Sequence, residues 1–177
     1  MGKGRVRLRA ARPDDVPLLC AWDEDDDVAA SSGDDDFFDW ALEVPRDVQW
    51  RELLMAEISE GDGFRPIGFI QIIDARDEET HYWGDVAPGH KAIDIWIGSD
   101  ADRNKGHGAA MMRLAFERCF ADPATHTVLI DPLSRNERAI RFYERLGFEP
   151  VGPRRFGDDD CLVLRLTREK WAPTQGF

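Results

Sequence analysis

The stretch RNKGHGAAMMRLAFERCF, residues 103–120, places a basic, glycine-rich turn directly before an amphipathic run. It follows KAIDIWIGSD, residues 91–100, whose alternation predicts a strand with Asp94 and Trp96 on one face and three isoleucines on the other. Glycines at such a turn let a ligand approach the backbone, and N–H groups at a helix start attract phosphate oxygens. The same pattern fits an ordinary helix start, so the turn alone leaves both interpretations open.

The remaining patterns predict an α+β protein in which helices interrupt a mixed, largely antiparallel sheet. Strands are expected over residues 5–11, 65–75, 91–100 and 125–133 and in a hairpin over 148–167, and helices from Pro13 and over 46–58, 103–120 and 134–147. Ser134 and Glu137 fit a capping box for the last helix, and Gly147 fits its end. Without a repeat or a linker, we expect one domain over residues 1–177, with a core over 5–168 and a short C-terminal tail.

Composition excludes several classes of protein. The 177 residues are 42% hydrophobic and carry a net charge of −12, which favours a folded domain and disfavours nucleic acid as a partner. No apolar run approaches the ~20 residues of a membrane helix, and the N-terminus lacks the apolar core of a signal peptide. The three cysteines, an odd number, are widely spaced, which predicts a reducing cytoplasm and neither disulfides nor a zinc site.

Acidic residues are concentrated near the N-terminus. Residues 14–47 contain thirteen Asp or Glu and a single basic residue, Arg46. This concentration fits either a solubilising surface or a field that attracts a cationic substrate. Asp23, Asp25 and Asp27 have the spacing of a calcium loop, but Val28 occupies the position that requires glycine, so no metal is expected.

A second segment, SRNERAIRFYERLGFEPVG at residues 134–152, narrows the interpretation of the glycine-rich turn. Together the two segments resemble the GNAT superfamily of N-acetyltransferases, over most of the chain from residue 5 to 168. The residues that carry the resemblance are Arg103, Gly106, Gly108, Asn136, Ala139, Phe142, Tyr143, Glu144, Gly147 and Phe148. The resemblance implies the single-domain GNAT fold and acetyl-CoA as the co-substrate.

The resemblance also implies roles for individual residues on the cofactor side. The turn would hold the pyrophosphate, and the edge of the preceding strand would pair with the pantetheine amides. The implied cofactor-binding residues are Trp96, Ile97, Gly98, Arg103, Asn104, Lys105, Gly106, His107, Gly108, Ala109, Asn136, Ala139 and Phe142. Tyr143 would be the general acid for the leaving thiolate, and its alternative is an aromatic side chain on the buried face of a short helix.

On the acceptor side, residues 81–100 and 128–149 look like the corresponding segments of aminoglycoside 6'-N-acetyltransferases. By that resemblance Asp94 is a candidate general base or proton relay, and Asp131 a ligand for substrate ammonium groups. Their alternatives are a solvent-facing strand position for Asp94 and a turn residue before Pro132 for Asp131. The remaining implied substrate-binding residues are Trp83 and Asp85 in a flap and Trp22 and Trp40, with Phe37 and Phe38, in an aromatic segment.

These inferences predict a cytoplasmic, acetyl-CoA-dependent N-acetyltransferase that confers antibiotic resistance. Its expected acceptor is the 6'-amine of an aminoglycoside, which attacks the thioester directly in a ternary complex, and the protein is expected to be a monomer or homodimer. Two alternatives remain open at this point. One is another amine acceptor, such as a siderophore hydroxylamine, a polyamine or a protein N-terminus, and the other is a non-catalytic module that binds acetyl-CoA.

Overall fold

A seven-stranded mixed sheet organises the chain in the computed structural model, which describes residues 4–26, 28 and 38–171. The strand order is β1-β2-β3-β4-β5-β7-β6, and only β4 and β5 are parallel neighbours. The strands are β1 (Val6–Ala10), β2 (Arg51–Glu60), β3 (Gly63–Asp74), β4 (His90–Ile97), β5 (Thr127–Ile130), β6 (Glu149–Phe156) and β7 (Asp159–Thr167). Phe37 and Asp27, which the sequence singled out, lie outside the described residues.

Helices cover both faces of this sheet. They are α1 (Val16–Asp23), α2 (Trp40–Glu43), α3 (His107–Ala121), α4 (Glu137–Arg145) and α5 (Arg168–Trp171), with short 3-10 turns at Pro13–Asp15 and Asp100–Asp102. The expected α+β class, with a mixed and mostly antiparallel sheet flanked by helices, is confirmed. The domain bounds 1–177 stay a prediction.

The hydrophobic core lies mainly between α3 and one face of the sheet. Met111, Met112 and Phe116 of α3 are buried against isoleucines of β3 and β4. The opposite face is covered by two smaller clusters, one under α1 and α2 and one under the loop between β3 and β4. Because side chains alternate along a strand, residues between the core isoleucines, including Asp94, point to this second face.

The helix expected over residues 46–58 is wrong. The chain instead enters β2 at Arg51, between β1 and β3. The apolar residues fit a helical period, but pairing on both edges buries Leu54, Met55 and Ala56 in succession. Glu57 is buried in the same strand and is neutralised by Arg7 and Arg9 of β1, each at 2.7 Å.

The expected capping box at the start of α4 is also wrong. The helix begins at Glu137, and its N-cap is Asn136, whose side-chain oxygen accepts a hydrogen bond from the Ala139 N–H at 3.1 Å. Asn is as good an N-cap as Ser, so either Ser134 or Asn136 could have been the N-cap of this helix. At the other end Gly147 has φ 100°, as expected for a glycine that follows a helix.

The described residues form neither a membrane-spanning helix nor a cluster of metal ligands. Within residues 4–26, 28 and 38–171, no helix is long and apolar enough to cross a membrane. In the same part of the chain, no group of three or more His, Cys, Asp or Glu side chains could hold a metal ion.

Candidate active site

The parallel strands β4 and β5 separate before β4 ends. Their pairing runs from His90 opposite Thr127 to Ala92 opposite Leu129, whereas β4 continues to Ile97. The Gly98 N–H donates to the Ile67 carbonyl of β3, so the backbone groups of Ile97 point the other way, toward the gap. The gap therefore exposes backbone donors and acceptors of β4 along its open edge.

Two carboxylates lie where the strands separate. Asp94 comes two residues after Ala92, and Asp131 comes two residues after its partner Leu129. Parallel strands in register bring equivalent positions side by side on one face, so the two side chains are neighbours. The Gln71 amide, directly across from Asp94 on β3, donates a hydrogen bond to it at 2.8 Å. The two carboxylates are therefore close together, and the roles expected for Asp94 and Asp131 stay predictions.

Asp131 is held in an environment that disfavours its charge. Burial, and after it the nearby charge of Asp94, raise the pKa of the Asp131 carboxyl to about 7. The Tyr82 hydroxyl donates to its Oδ2 at 2.6 Å, which favours the ionised form and offsets part of that rise. Asp131 thus changes its charge near neutral pH, where a bound ammonium group would favour ionisation.

Tyr143 reaches the same gap from α4. Its ring packs against Phe142 and Phe148, with centroids 5.2 and 5.8 Å away. Burial, and then the charges of Asp94 and Asp131, raise the pKa of the Tyr143 hydroxyl above its usual range. Among the described residues the hydroxyl has no hydrogen-bond partner. The structure therefore presents a protonated O–H beside the two carboxylates.

The loop between β3 and β4, residues 75–89, covers this face of the sheet. Trp83 is buried in it, with its ring edge-on to Phe156 of β6 at 5.4 Å, while Asp85 is exposed. The flap expected from the sequence thus exists as a packed loop. A direct contact of Trp83 or Asp85 with substrate stays a prediction.

The expected aromatic segment forms a cluster on the other side of Asp94. Trp40 packs against Phe69 and Trp96, and its indole N–H donates to Asp23 at 2.5 Å. Trp22 lies directly on Gly98, where an added Cβ would come within 1.9 Å of its ring. Trp22 and Trp40 are only 7% and 3% exposed, so they support the strand edge from within the core. Their contact with a substrate stays a prediction.

The glycine-rich turn has the backbone of an anion site. Asn104 and Gly106 both adopt left-handed conformations, with φ of 61° and 84°. Gly106, which has no side chain with which to cap a helix, is the N-cap of the fifteen-residue helix α3. Gly108 follows in the first turn, where an added Cβ would come within 3.3 Å of Phe142 of α4. The N–H groups at the start of a long helix are a typical site for phosphate.

Arg103 has a different environment from the rest of the turn. Its guanidinium pairs with Asp25 at 2.7 Å and lies 3.4 Å from the Ile97 carbonyl. It therefore ties the turn to β4 and to the acidic segment after α1. A contact between Arg103 and the cofactor stays a prediction, as do the roles of Lys105, His107 and Ala109.

Sequence reasoning missed several residues that the structure brings to the site. Arg138 of α4 donates to the Asn104 side chain at 2.6 Å and so adds a cation beside the turn. Gln71 could have been found from its alternation with core isoleucines on β3. Tyr82 adjoins the Trp83 that was singled out, but nothing in the sequence indicated that it pairs with Asp131 from 49 residues away.

Comparisons with known proteins find relatives of this chain. The aminoglycoside N(6')-acetyltransferase type 1 of Serratia marcescens is 32% identical over 113 residues, which cover 63% of this chain and 56% of that protein. A kanamycin resistance protein of Rhizobium radiobacter is 31% identical over 99 residues, or 55% of this chain and 92% of that protein. The chain spans about half the length of the first of these relatives.

Among solved structures, aminoglycoside acetyltransferase AAC(6')-Ib in complex with coenzyme A has a TM-score of 0.82. It is 24% identical, and the alignment covers 97% of this chain and 100% of that one, so the likeness concerns the fold. An aminoglycoside N(6')-acetyltransferase of Legionella pneumophila has a TM-score of 0.75 at 19% identity, with 98% of each chain covered.

The match to a family covers both the turn and the carboxylates. The family described as acetyltransferase (GNAT) domain matches residues 12–156, which include β4, β5, α3 and α4. The separated parallel strands, the helix start at Gly106 and the tyrosine of α4 all lie within that match. The chain belongs to the GNAT acetyltransferase domain family.

Proposed function

We propose that this protein transfers an acetyl group from acetyl-CoA to a primary amine of a cationic small molecule, specifically the 6'-amine of an aminoglycoside. The observation that carries the proposal is the pair of carboxylates, Asp94 and Asp131, beside a protonated Tyr143 at the gap between β4 and β5. The relatives named for aminoglycoside acetylation and kanamycin resistance support the same acceptor.

The residues present fit acetyl-CoA. The left-handed turn at Asn104 and Gly106 presents N–H groups to the pyrophosphate, with the cations Lys105 and Arg138 nearby. The open edge of β4 offers the Ile97 N–H to a pantetheine carbonyl, whereas the Ile97 carbonyl already accepts from Arg103. The Asn136 side-chain oxygen is used by the N-cap, which leaves its amide N–H₂ as a donor for the cofactor arm.

The two carboxylates have different roles toward the amine. Asp131 binds an ammonium group and becomes ionised as it does so, because a cation offsets the repulsion from Asp94. Asp94 accepts the proton that the reacting ammonium must lose, since only the neutral amine carries a lone pair for attack. The Gln71 amide fixes the Asp94 carboxylate through its hydrogen bond of 2.8 Å.

The amine nitrogen attacks the thioester carbon directly in a ternary complex, so that a C–N bond forms and the C–S bond breaks. Tyr143 offers its O–H to the departing sulfur, and its raised pKa keeps that proton in place until the sulfur gains charge. Asp94 takes the first proton of the ammonium before the attack and releases it to solvent, and the second proton, which the nitrogen loses as the amide forms, returns to the Tyr143 oxygen, so that both residues regain their starting states. No covalent acyl-enzyme is needed, because the donor and acceptor meet at the same gap.

The test is an acetyl-transfer assay, followed by thiol release, with a panel of amines and three forms of the protein. We expect turnover of kanamycin, and a loss of about 100-fold or more in kcat for Asp94→Asn, which cannot accept the proton. Asp62→Asn, in the remote turn between β2 and β3, is the matched control and should retain activity.

The alternatives give distinct results in the same assay. Turnover of a polyamine or a hydroxylamine, but not of aminoglycosides, would show that the enzyme has a different acceptor from the one proposed. Stabilisation by acetyl-CoA without turnover of any amine would favour a binding module. Full activity of Asp94→Asn would remove Asp94 as the base.

A further inference from the structure

Tyr82 is held in place before any ligand binds. The Glu78 carboxylate, in a residue only 5% exposed, accepts hydrogen bonds from the Thr80 N–H at 2.9 Å and from the Tyr82 N–H. The Thr80 hydroxyl donates at 2.7 Å to Oε2, which also accepts from the Thr80 N–H, whereas the Tyr82 N–H donates to Oε1. A buried carboxylate with three donors folds the loop back on itself and fixes the backbone at Tyr82.

Residues of β6 also hold Tyr82 in place. The Arg154 guanidinium donates to the Trp83 carbonyl at 2.9 Å and to the Tyr82 carbonyl at 3.4 Å. The Tyr82 ring stacks on Phe156 with centroids 4.3 Å apart and an angle of 5° between the planes. Tyr82 is 41% exposed, yet its backbone and its ring are both held by neighbours.

This support directs the Tyr82 hydroxyl at one carboxylate oxygen. The hydroxyl donates to Asp131 Oδ2 at 2.6 Å, a short bond typical of a charged acceptor. The bond spans from the loop to the end of β5, so it restricts the rotation of the Asp131 carboxylate.

We propose that Tyr82 is a positioning residue, which holds the Asp131 carboxylate in the orientation that receives a substrate ammonium group. The proposal deepens the proposed function and rests on it. Tyr82 acts through Asp131 and takes no part in the transfer of the acetyl group.

Loss of the Tyr82 hydroxyl should change the pH dependence of amine binding. The titratable and charged groups around Asp131 are Asp94 of β4, Tyr82 of the loop, Arg154 of β6, Cys161 of β7 and Tyr143 of α4. Asp94 raises the pKa of Asp131, whereas Tyr82 and Arg154 lower it. Without the hydroxyl, that pKa rises further, and less of the carboxylate is ionised at neutral pH.

The experiment is a double-mutant cycle with Tyr82→Phe, Asp131→Asn and the double variant, using kanamycin and acetyl-CoA between pH 6 and 9. Phenylalanine keeps the stack on Phe156 and removes one oxygen. We expect Tyr82→Phe to raise KM for kanamycin several-fold at pH 7, with little change in kcat. The acid limb of kcat/KM should move upward by about one pH unit. In the Asp131→Asn background the same change should have no further effect.

Two results would overturn the proposal. One is a Tyr82→Phe variant with the KM and acid limb of the wild type, and the other is additive effects of the two substitutions. A second measurement does not depend on the folding of Tyr82→Phe. The chain has two tyrosines, so the Raman signature of a strongly donating hydroxyl should be present in the wild type and lost in Asp131→Asn. An unchanged signature would contradict the hydrogen bond itself.

Failure of the proposed function gives a different pattern. If the wild type acetylates no aminoglycoside, the kinetic cycle has no signal, and the Asp131 carboxyl is followed instead by carbon NMR of labelled protein. A higher titration midpoint of the Asp131 carboxyl in Tyr82→Phe would support the positioning role of Tyr82 even though aminoglycosides are not the acceptors. An unchanged midpoint would overturn the positioning role as well.

Discussion

At the scale of single residues, Asp131 combines two opposing requirements. It lies beside Asp94 in a poorly hydrated place, which penalises its charge, yet the ammonium binding that we propose requires it to be charged. Such a cost is typical of functional sites, where stability is given up for a prepared charge. The sequence could indicate Asp131 because an aspartate that ends a buried strand is unusual. It could not indicate the Tyr82 partner, because the loop conformation that brings Tyr82 there depends on Glu78 and Phe156.

Because charging Asp131 is unfavourable in the folded protein, we expect Asp131→Asn to stabilise the protein in a pH-dependent way. The pKa of Asp131 is raised to about 7 in the folded state, above the ordinary value of 3.8, so the folded protein binds more protons between those values. The free energy of unfolding of the wild type therefore falls as pH rises through that window, and the variant lacks this fall. We expect Asp131→Asn to be more stable than the wild type by about 1–3 kcal/mol at pH 8 and by much less at pH 4, in urea unfolding.

The matched control is Asp158→Asn, in the exposed turn between β6 and β7. Its side chain is 94% exposed, so its removal should not change how stability depends on pH. A variant Asp131→Asn that is equally or less stable than the wild type at pH 8 would contradict the penalty on the Asp131 charge.

At the scale of elements, the gap between β4 and β5 depends on where pairing stops. The sequence predicted both strands and the helices α3 and α4, because their periodicity and terminal residues are local signals. It did not predict β2, since Leu54 and Ile58 fit a helical face as well as a strand. Only the neighbours β1 and β3 decide between the two, and periodicity carries no information about neighbours.

The start of α4 gives a test at this scale. Asn136→Ala should lower the free energy of unfolding by about 1 kcal/mol, because the Ala139 N–H loses its acceptor. Ser134→Ala is the matched control: Ser134 fitted a capping box in the sequence but is not the N-cap, and its removal should change stability little. Equal losses for the two variants in urea unfolding would show that the cap is shared.

At the scale of the whole molecule, the distribution of charge fits the two ligands of opposite sign that we propose. The net charge is −12, with thirteen acidic residues within residues 14–47, whereas Lys105 and Arg138 lie at the glycine-rich turn. Such a field would raise the local concentration of a polycationic acceptor and would leave an anionic cofactor a basic entry. Composition alone could not separate this role from a solubilising surface, because the carboxylates at the gap become apparent only in three dimensions.

The charge distribution predicts how catalysis depends on salt. KM for kanamycin should rise with NaCl from 20 to 500 mM while kcat stays nearly constant, because salt screens long-range attraction and not contacts at the gap. An acceptor with a single amine is the control and should show a weaker dependence. A KM for kanamycin that does not respond to salt would favour the solubilising role of the acidic residues.

The most direct test of the central claim is the structure of the product. Purified protein is incubated with acetyl-CoA and kanamycin, and the sugar is analysed by mass spectrometry and NMR. The account predicts one added acetyl group, on the 6'-nitrogen, formed by the wild type and about 100-fold more slowly by Asp94→Asn. Unmodified kanamycin after prolonged incubation with the wild type, or acetylation that does not depend on Asp94, would contradict it.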